Sequence, residues 1–462
     1  MVDRSLLINQ LAELGEFVPA CTVDSVDGAT REALARVVAD NFTVTIAGSD
    51  LTESGLLRQA CQEIVRGATA IGSVAQYSLA DAAWLNGVAM VSLELDEGNK
   101  AIRGHASAHV FAIALALAET LDVSGKTFLN AFLAGHEVAS RFGNAVILHD
   151  GIHPHGNWGV TGAAAASAYL LQLSAQQTAR AIDNAATQAL ATPFEAAIDG
   201  MSIRNSWIGA ANVLGYRAAI MASAESDTSI KGTVTCVFGE TLGSLDTTNL
   251  TQGLGDSFFV STGYFKRHAS CSYTHPPADA ALDLREQLGS TDANQITDIL
   301  IETHHLATPL TALEWPSRMA AMFSIPYVVA TALKDGDCKP ERFEASAREQ
   351  QDRRSLATKV RIQLDSSLDT RLPKERAARL TLKLNDGRQL QTLISNPVGD
   401  VDHAPFGEVE LRRKSGDLLG LERATRLEAA LTDLAAAPSM RLWMTNMRSI
   451  AQRQPYPNLK ED

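Results

Sequence analysis

The sequence predicts a mostly helical protein with a smaller α+β unit. Three observations carry this expectation. Residues from about 26 to 260 keep a helical period, β-type alternation begins only near residue 290, and helical spacing returns in the tail. At 462 residues the chain exceeds what one core usually accommodates, so two structural units are expected.

Along the first unit, Leu34, Val37, Val38 and Phe42 recur at helical spacing, Thr127 to Phe142 is apolar with polar interruptions, and Gly159 to Leu190 is dominated by alanine. Such small residues let buried helices approach closely. Further on, Ile296 to Leu306 and Ala357 to Leu364 contain alternating β-branched residues. Ala378 to Leu384 and Arg388 to Ile394 flank Asn385-Asp386-Gly387, a strong hairpin signal. Ile325 to Leu333 reads as a helix between the first two of these segments. The division expected is therefore a helical domain of residues 1–265 with 403–462, and an α+β domain of 266–402. The tail from Val409 to Arg453 is expected to pack back on the first unit.

A net charge of −13 argues against nucleic-acid or anionic-membrane partners, because the average surface repels both. No signal-peptide h-region follows Asp3 and Arg4. The longest apolar run, Val110 to Ala118, ends at Glu119, well short of the roughly 20 residues of a membrane span. Cysteines stand alone at 21, 61, 236, 271 and 338, without a CxxC pair, so neither a zinc ribbon nor an iron–sulfur ligand set is expected. The scattered thiols suit a reducing cytoplasm.

Four segments concentrate chemistry. Glu94-Leu95-Asp96-Glu97-Gly98-Asn99-Lys100-Ala101-Ile102-Arg103-Gly104-His105 packs acids, cations and a histidine before a helix expected to start at Ala106. An imidazole there sits where the helix dipole favours an anion. His153-Pro154-His155-Gly156-Asn157 places two histidines in a Pro/Gly-rich loop. Without an HExxH pattern or a carboxylate-rich partner, proton transfer or substrate binding outweighs a metal role. In Asp199 to Trp207, Arg204 has the planar fork that grips a carboxylate. In Phe265-Lys266-Arg267-His268, a neighbouring arginine and burial would both lower the lysine pKa towards a useful base. The alternative for each single charge is a solvated surface, and His136 and Glu137 read as structural helix residues.

These segments, with Asn86-Gly87 before them and Phe323-Ser324-Ile325-Pro326-Tyr327 after them, resemble the MmgE/PrpD family over nearly the whole chain and in the family's order. The resemblance implies a large all-helical domain with a smaller α+β lid, a homodimer, and cofactor-independent chemistry on a small di- or tricarboxylic acid. By position, the family's active-site histidines fall on His105 and His153, its junction lysine on Lys266 and its tyrosine on Tyr327. Glu94, Arg103, His155, Arg204 and Arg267 are the expected substrate-binding residues, and no metal ligand is expected. Where several relatives carry Thr-Lys-Pro, this chain has Ile203-Arg204-Asn205, which removes a basic acid/base option. The expected reaction is that of a hydro-lyase like 2-methylcitrate dehydratase. The alternatives are epimerisation, decarboxylation of the cis-aconitate type, or a non-catalytic dicarboxylate-binding protein.

Overall fold

The computed structural model describes residues 3–226, 229–289 and 293–452. Helices dominate it. Asp27 caps the helix Gly28–Ser49 by accepting from Thr30 N, and Ser124 caps Gly125–Ala145 by accepting from Thr127 N. The helical core is built from Leu79–Val91, Ala106–Leu121, Gly125–Ala145, Val160–Leu170, Ala175–Ala186 and Ile203–Ala224, packed on one another. The alanine-rich stretch forms two of these helices, with a break between Leu171 and Ser174. Apart from Ala175, the alanines of these two helices are fully buried, so helix axes come close without bulky side chains between them.

One close approach positions the site. A Cβ on Gly87 would lie 2.9 Å from Gly209 Cα, and one on Gly209 would lie 2.6 Å from Trp84 O. Only glycines let Leu79–Val91 and Ile203–Ala224 touch this closely. The contact carries Arg204, in the first turn of the second helix, to within 3.4 Å of Val91 O, just ahead of the acidic segment.

The main sheet has four strands in the order Val360–Leu364, Ile296–Thr303, Ala378–Leu384, Gln389–Ile394. The first pair is parallel and the others antiparallel. The expected hairpin forms, with Leu384 N donating to Arg388 O at 2.9 Å. Helix His275–Leu288 packs on the two hairpin strands and on Ile325–Asp335. Two strands are shorter than the alternation suggested. Ile296–Thr303 ends before His304, and Val360–Leu364 starts late because Ala357 closes the helix Gln351–Ala357.

After the sheet, Glu408–Leu419 packs on Gly28–Ser49, and Met440–Ala451 packs on Ala106–Leu121. Lys414 pairs with Asp40 at 2.6 Å, and Trp443 lies 5.2 Å from Phe42 between ring centroids. Arg453, the expected end of the tail helix, lies outside the described residues. No helix among the described residues is long and apolar enough to cross a membrane.

Candidate active site

The acidic segment is a tight, strained loop. Glu94 and Arg103 both adopt left-handed backbone conformations, with φ of 52° and 51°, which residues other than glycine seldom do. Backbone pairs Gly98 with Tyr264 and Asn99 with Gly104 hold it, and Lys100 clamps it to Asp400 and Asp402 at 2.9 and 2.7 Å. From the tail, Lys414 Nζ donates to Leu95 O at 2.7 Å. The loop ends at His105, directly before the helix Ala106–Leu121, where the sequence places it.

Beneath the loop lies a buried four-charge cluster. Lys266 Nζ is 3.2 Å from Glu94 Oε2 and 3.4 Å from Asp96 Oδ1, and Arg204 pairs with Glu94 Oε1. Two cations thus face two carboxylates, all at most 2% exposed. Burial alone would lower the Lys266 pKa, but Asp96 and Glu94 outweigh it and raise the pKa above the ordinary lysine value. This corrects the expectation of a depressed, base-like lysine: Lys266 is a fixed cation. Asp96 mirrors it, because Lys266, His105 and Arg204 overcome the effect of burial and hold its carboxylate far below the usual range. Glu97 behaves oppositely. Burial, opposed by the Ser107 hydrogen bond and helped by the charges of Asp96 and Asp40, pushes it up to about 8.

Above the cluster sit the histidines. His105 Nδ1 is 2.8 Å from Glu97 O and 2.9 Å from Asp96 Oδ2. Both neighbours are acceptors, so Nδ1 carries a proton, and in the neutral form of the ring Nε2 is the nitrogen with the lone pair. His153 has the complementary arrangement. Its Nδ1 accepts from His155 N at 3.1 Å, which leaves the proton on Nε2. Burial first, then the charge of Arg204, keeps His153 and His155 well below the ordinary histidine value, so both are neutral. His155 Nε2 faces Arg204 Nη2 at 3.4 Å.

His109 supports the group from below. It donates from Nδ1 to His105 O and accepts at Nε2 from Gly156 N, at 2.8 and 3.1 Å. A Cβ on Gly159 would fall 2.2 Å from its ring, so glycine there makes room for it. Thr192 ties the histidine loop down by donating to both His153 O and His155 O.

A small cavity of ≈ 40 Å³ is lined by Glu94, Arg103, His105, His153 and Arg204. It is also lined by residues that sequence reasoning missed: Tyr264, Cys271, Ser272, Tyr273 and Arg376. Arg376 lies between Tyr264 and Tyr273, its guanidinium carbon 5.4 and 5.3 Å from their ring centroids, and donates to Tyr264 Oη and Ser272 Oγ at 3.2 and 3.1 Å. Among the described residues neither Arg376 nor Arg103 has a carboxylate within 4 Å. The charge cluster is internally neutral, so these two arginines make the cavity positive within an acidic protein. Cys271 is a bystander, because burial and the Glu94 charge push its thiol up to about 11.

Two expected site residues lie elsewhere. Tyr327 is buried among Trp315, Phe343 and Arg353, and its hydroxyl donates to Arg342 O at 2.5 Å and accepts from Arg353 at 3.0 Å. Tyr327 is not among the residues that line the cavity. Arg267 is 45% exposed and faces Asp279 instead. His136 and Glu137 are structural, as their helical setting suggested: Glu137 pairs with Arg141 and accepts from Phe259 N.

A metal has one conceivable seat among the described residues, since ligand atoms of Asp96, His105 and His155 lie within 4.8 Å of one another. Lys266 and Arg204 already neutralise that region and would repel a divalent cation, so the donor set fits a metal poorly.

Residues 12–233 match the MmgE/PrpD N-terminal domain and residues 268–434 match the MmgE/PrpD C-terminal domain. The chain belongs to the MmgE/PrpD family. This family includes dehydratases and decarboxylases, and its members are generally lyases. A curated relative is the cis-aconitate decarboxylase-like protein oryM of Aspergillus oryzae. It is 25% identical to this chain over 92% of this chain and 94% of its own length. The second match begins at residue 268, so the charge cluster draws Glu94, Asp96 and Arg204 from the first matched segment of this MmgE/PrpD protein and Lys266 from two residues before the second.

Proposed function

We propose that the chain is a metal-independent hydro-lyase acting on a small di- or tricarboxylic hydroxy acid. The observation that carries this reading is the complementary proton placement on two histidines at one positive cavity. His105 offers a lone pair on Nε2, and His153 offers a proton on Nε2. Arg103 and Arg376 hold the substrate carboxylates. His105 takes the proton from the carbon beside one carboxylate, and the electron pair left there is stabilised by the same cations. The pair then forms the carbon–carbon double bond as the C–O bond breaks; His153 Nε2–H donates a hydrogen bond to the departing hydroxyl, which takes the proton His105 has acquired and leaves as water, so both imidazoles end neutral. The buried cluster of Lys266, Glu94, Asp96 and Arg204 does not move protons; it sets the loop that carries Arg103 and His105.

Decarboxylation is the second reading, favoured by the likeness to oryM. Both reactions need the carboxylate-bearing centre beside a proton donor and two cations. Proton NMR in deuterated buffer with a panel of di- and tricarboxylates separates them. Elimination creates a vinylic signal from a hydroxy acid. Loss of a carboxyl group from an unsaturated acid supports the second reading, and solvent exchange alone means epimerisation. No change with any acid overturns both proposals.

A further inference from the structure

Beyond the small cavity lies a much larger one, of ≈ 860 Å³, and the two share Arg103, Pro154, Phe194, Tyr273 and Arg376 as a common wall. The inner space holds only a few water-sized atoms, since one water needs roughly 10–15 Å³. A substrate therefore places little more than its reacting end there, and its remainder extends outwards past the two arginines.

The outer walls are mostly apolar: Ile102, Leu148, Ile152, Trp158, Ile198 and Leu372. Ile102 and Trp158 are fully buried, next to the shared wall. The acidic members of the lining, Asp150 and Glu195, are exposed and so stand at the mouth. Lys100 is occupied by Asp400 and Asp402, and His305 by Asp369. A second highly charged substrate moiety would find few free cations here, whereas an alkyl chain would find a ready apolar surface.

We infer that the outer cavity is a chain-binding subsite, and that the substrate is a polycarboxylate bearing an apolar chain of several carbons. The inference rests on reading the inner cavity as the carboxylate site. It adds chain-length selectivity, set by Leu148, Ile152, Ile198 and Leu372, to carboxylate recognition by Arg103 and Arg376.

The test is calorimetric binding of 2-alkylsuccinates, from methyl to octyl, to the intact protein. These acids carry two carboxylates and no leaving hydroxyl, so binding is read without turnover. Each added methylene should lower Kd about 3- to 4-fold, the yield of burying one methylene, until the chain reaches the mouth and the series levels. Leu148→Trp, which fills the channel, should make the series level at a shorter chain. Ile198→Trp provides a second variant should the first fold poorly. Measurable binding that is flat from methyl to octyl overturns the chain subsite but leaves the carboxylate reading standing. A chain-length profile identical in the wild type and in both folded variants also overturns the subsite. Absence of binding by every succinate overturns the carboxylate reading and the subsite with it.

Discussion

Two groups of cations at the candidate site behave in opposite ways. Lys266 and Arg204 are matched by Glu94 and Asp96 at short range, whereas Arg376 and Arg103 face the cavity without a carboxylate. The matched pair is a construction element, because its charge is already used. The unmatched pair is a binding element: the buried Arg376 guanidinium, which faces only hydroxyls and aromatic rings, still needs an anion. Burial and charge alone do not identify a catalytic cation; the partners do.

The largest expected effect breaks the matched group. Lys266→Met should leave Asp96 and Glu94 buried with less compensation and cost about 3–5 kcal/mol of stability, the usual penalty for orphaning a buried charge. Chemical denaturation reads this directly. A variant as stable as the wild type would show that the cluster is not structural.

Next comes the unmatched group. Arg376→Met orphans no carboxylate, so the fold should survive while kcat/KM falls by about 10²- to 10³-fold, corresponding to the loss of a buried charge pair with the substrate. Thermal unfolding beside steady-state kinetics separates the two outcomes. A large loss of Tm with unchanged kcat/KM would exchange the roles of the two groups.

A smaller effect is the pH dependence of stability. His109 and His136 are lowered to about 4 by burial, so below pH 6.5 the unfolded chain binds protons that the folded one refuses, and stability falls with acid. Glu97 is raised to about 8, so from its unfolded value of 4.5 up to 8 the folded state holds a proton that the unfolded state has lost. Its contribution therefore declines as pH rises through that window, by at most about 1.4 kcal/mol per unit. Above pH 6.5 the histidines no longer oppose it. Stability should peak near pH 6.5, and Glu97→Gln should remove the decline between 6.5 and 8. Denaturation midpoints at three pH values check this.

The smallest effect is expected at Tyr327. Tyr327→Phe removes its hydrogen bonds to Arg342 O and Arg353, for about 1 kcal/mol of stability. Turnover should stay near native. A 100-fold loss of kcat in a folded variant would return this residue to the site.

The same contrast marks how far the sequence could be read. Helical period, the Asn385-Asp386-Gly387 hairpin and the return to helical spacing are local signals, and each forms close to where it was expected. Residues 94–105 were legible as a site because acids, cations and a histidine crowd one short loop. The protonation of Lys266 was not, since its immediate neighbour Arg267 suggests a lowered pKa while Glu94 and Asp96, some 170 positions away in the chain, reverse the sign. Arg376 was also hidden. It follows Lys374 and Glu375 in a charged stretch that reads as solvated, and only packing between Tyr264 and Tyr273 buries it. Tyr327 misled in the opposite direction: its segment fits the family's order, yet its hydroxyl is taken up by Arg342 O and Arg353 and it does not line the cavity.

The central claim is that His105 is the base at the positive cavity, and one measurement tests it most directly. In deuterated buffer, with the acid that the wild type transforms, the rate of proton loss from the carbon beside the carboxylate is compared between wild type and His105→Asn. Asparagine retains a polar side chain near Glu97 O and Asp96 but has no basic nitrogen. The account predicts a folded variant, by circular dichroism, with substrate affinity within a few-fold of native and proton loss slowed by about 10²-fold or more. A folded variant that removes the proton at the native rate would contradict it.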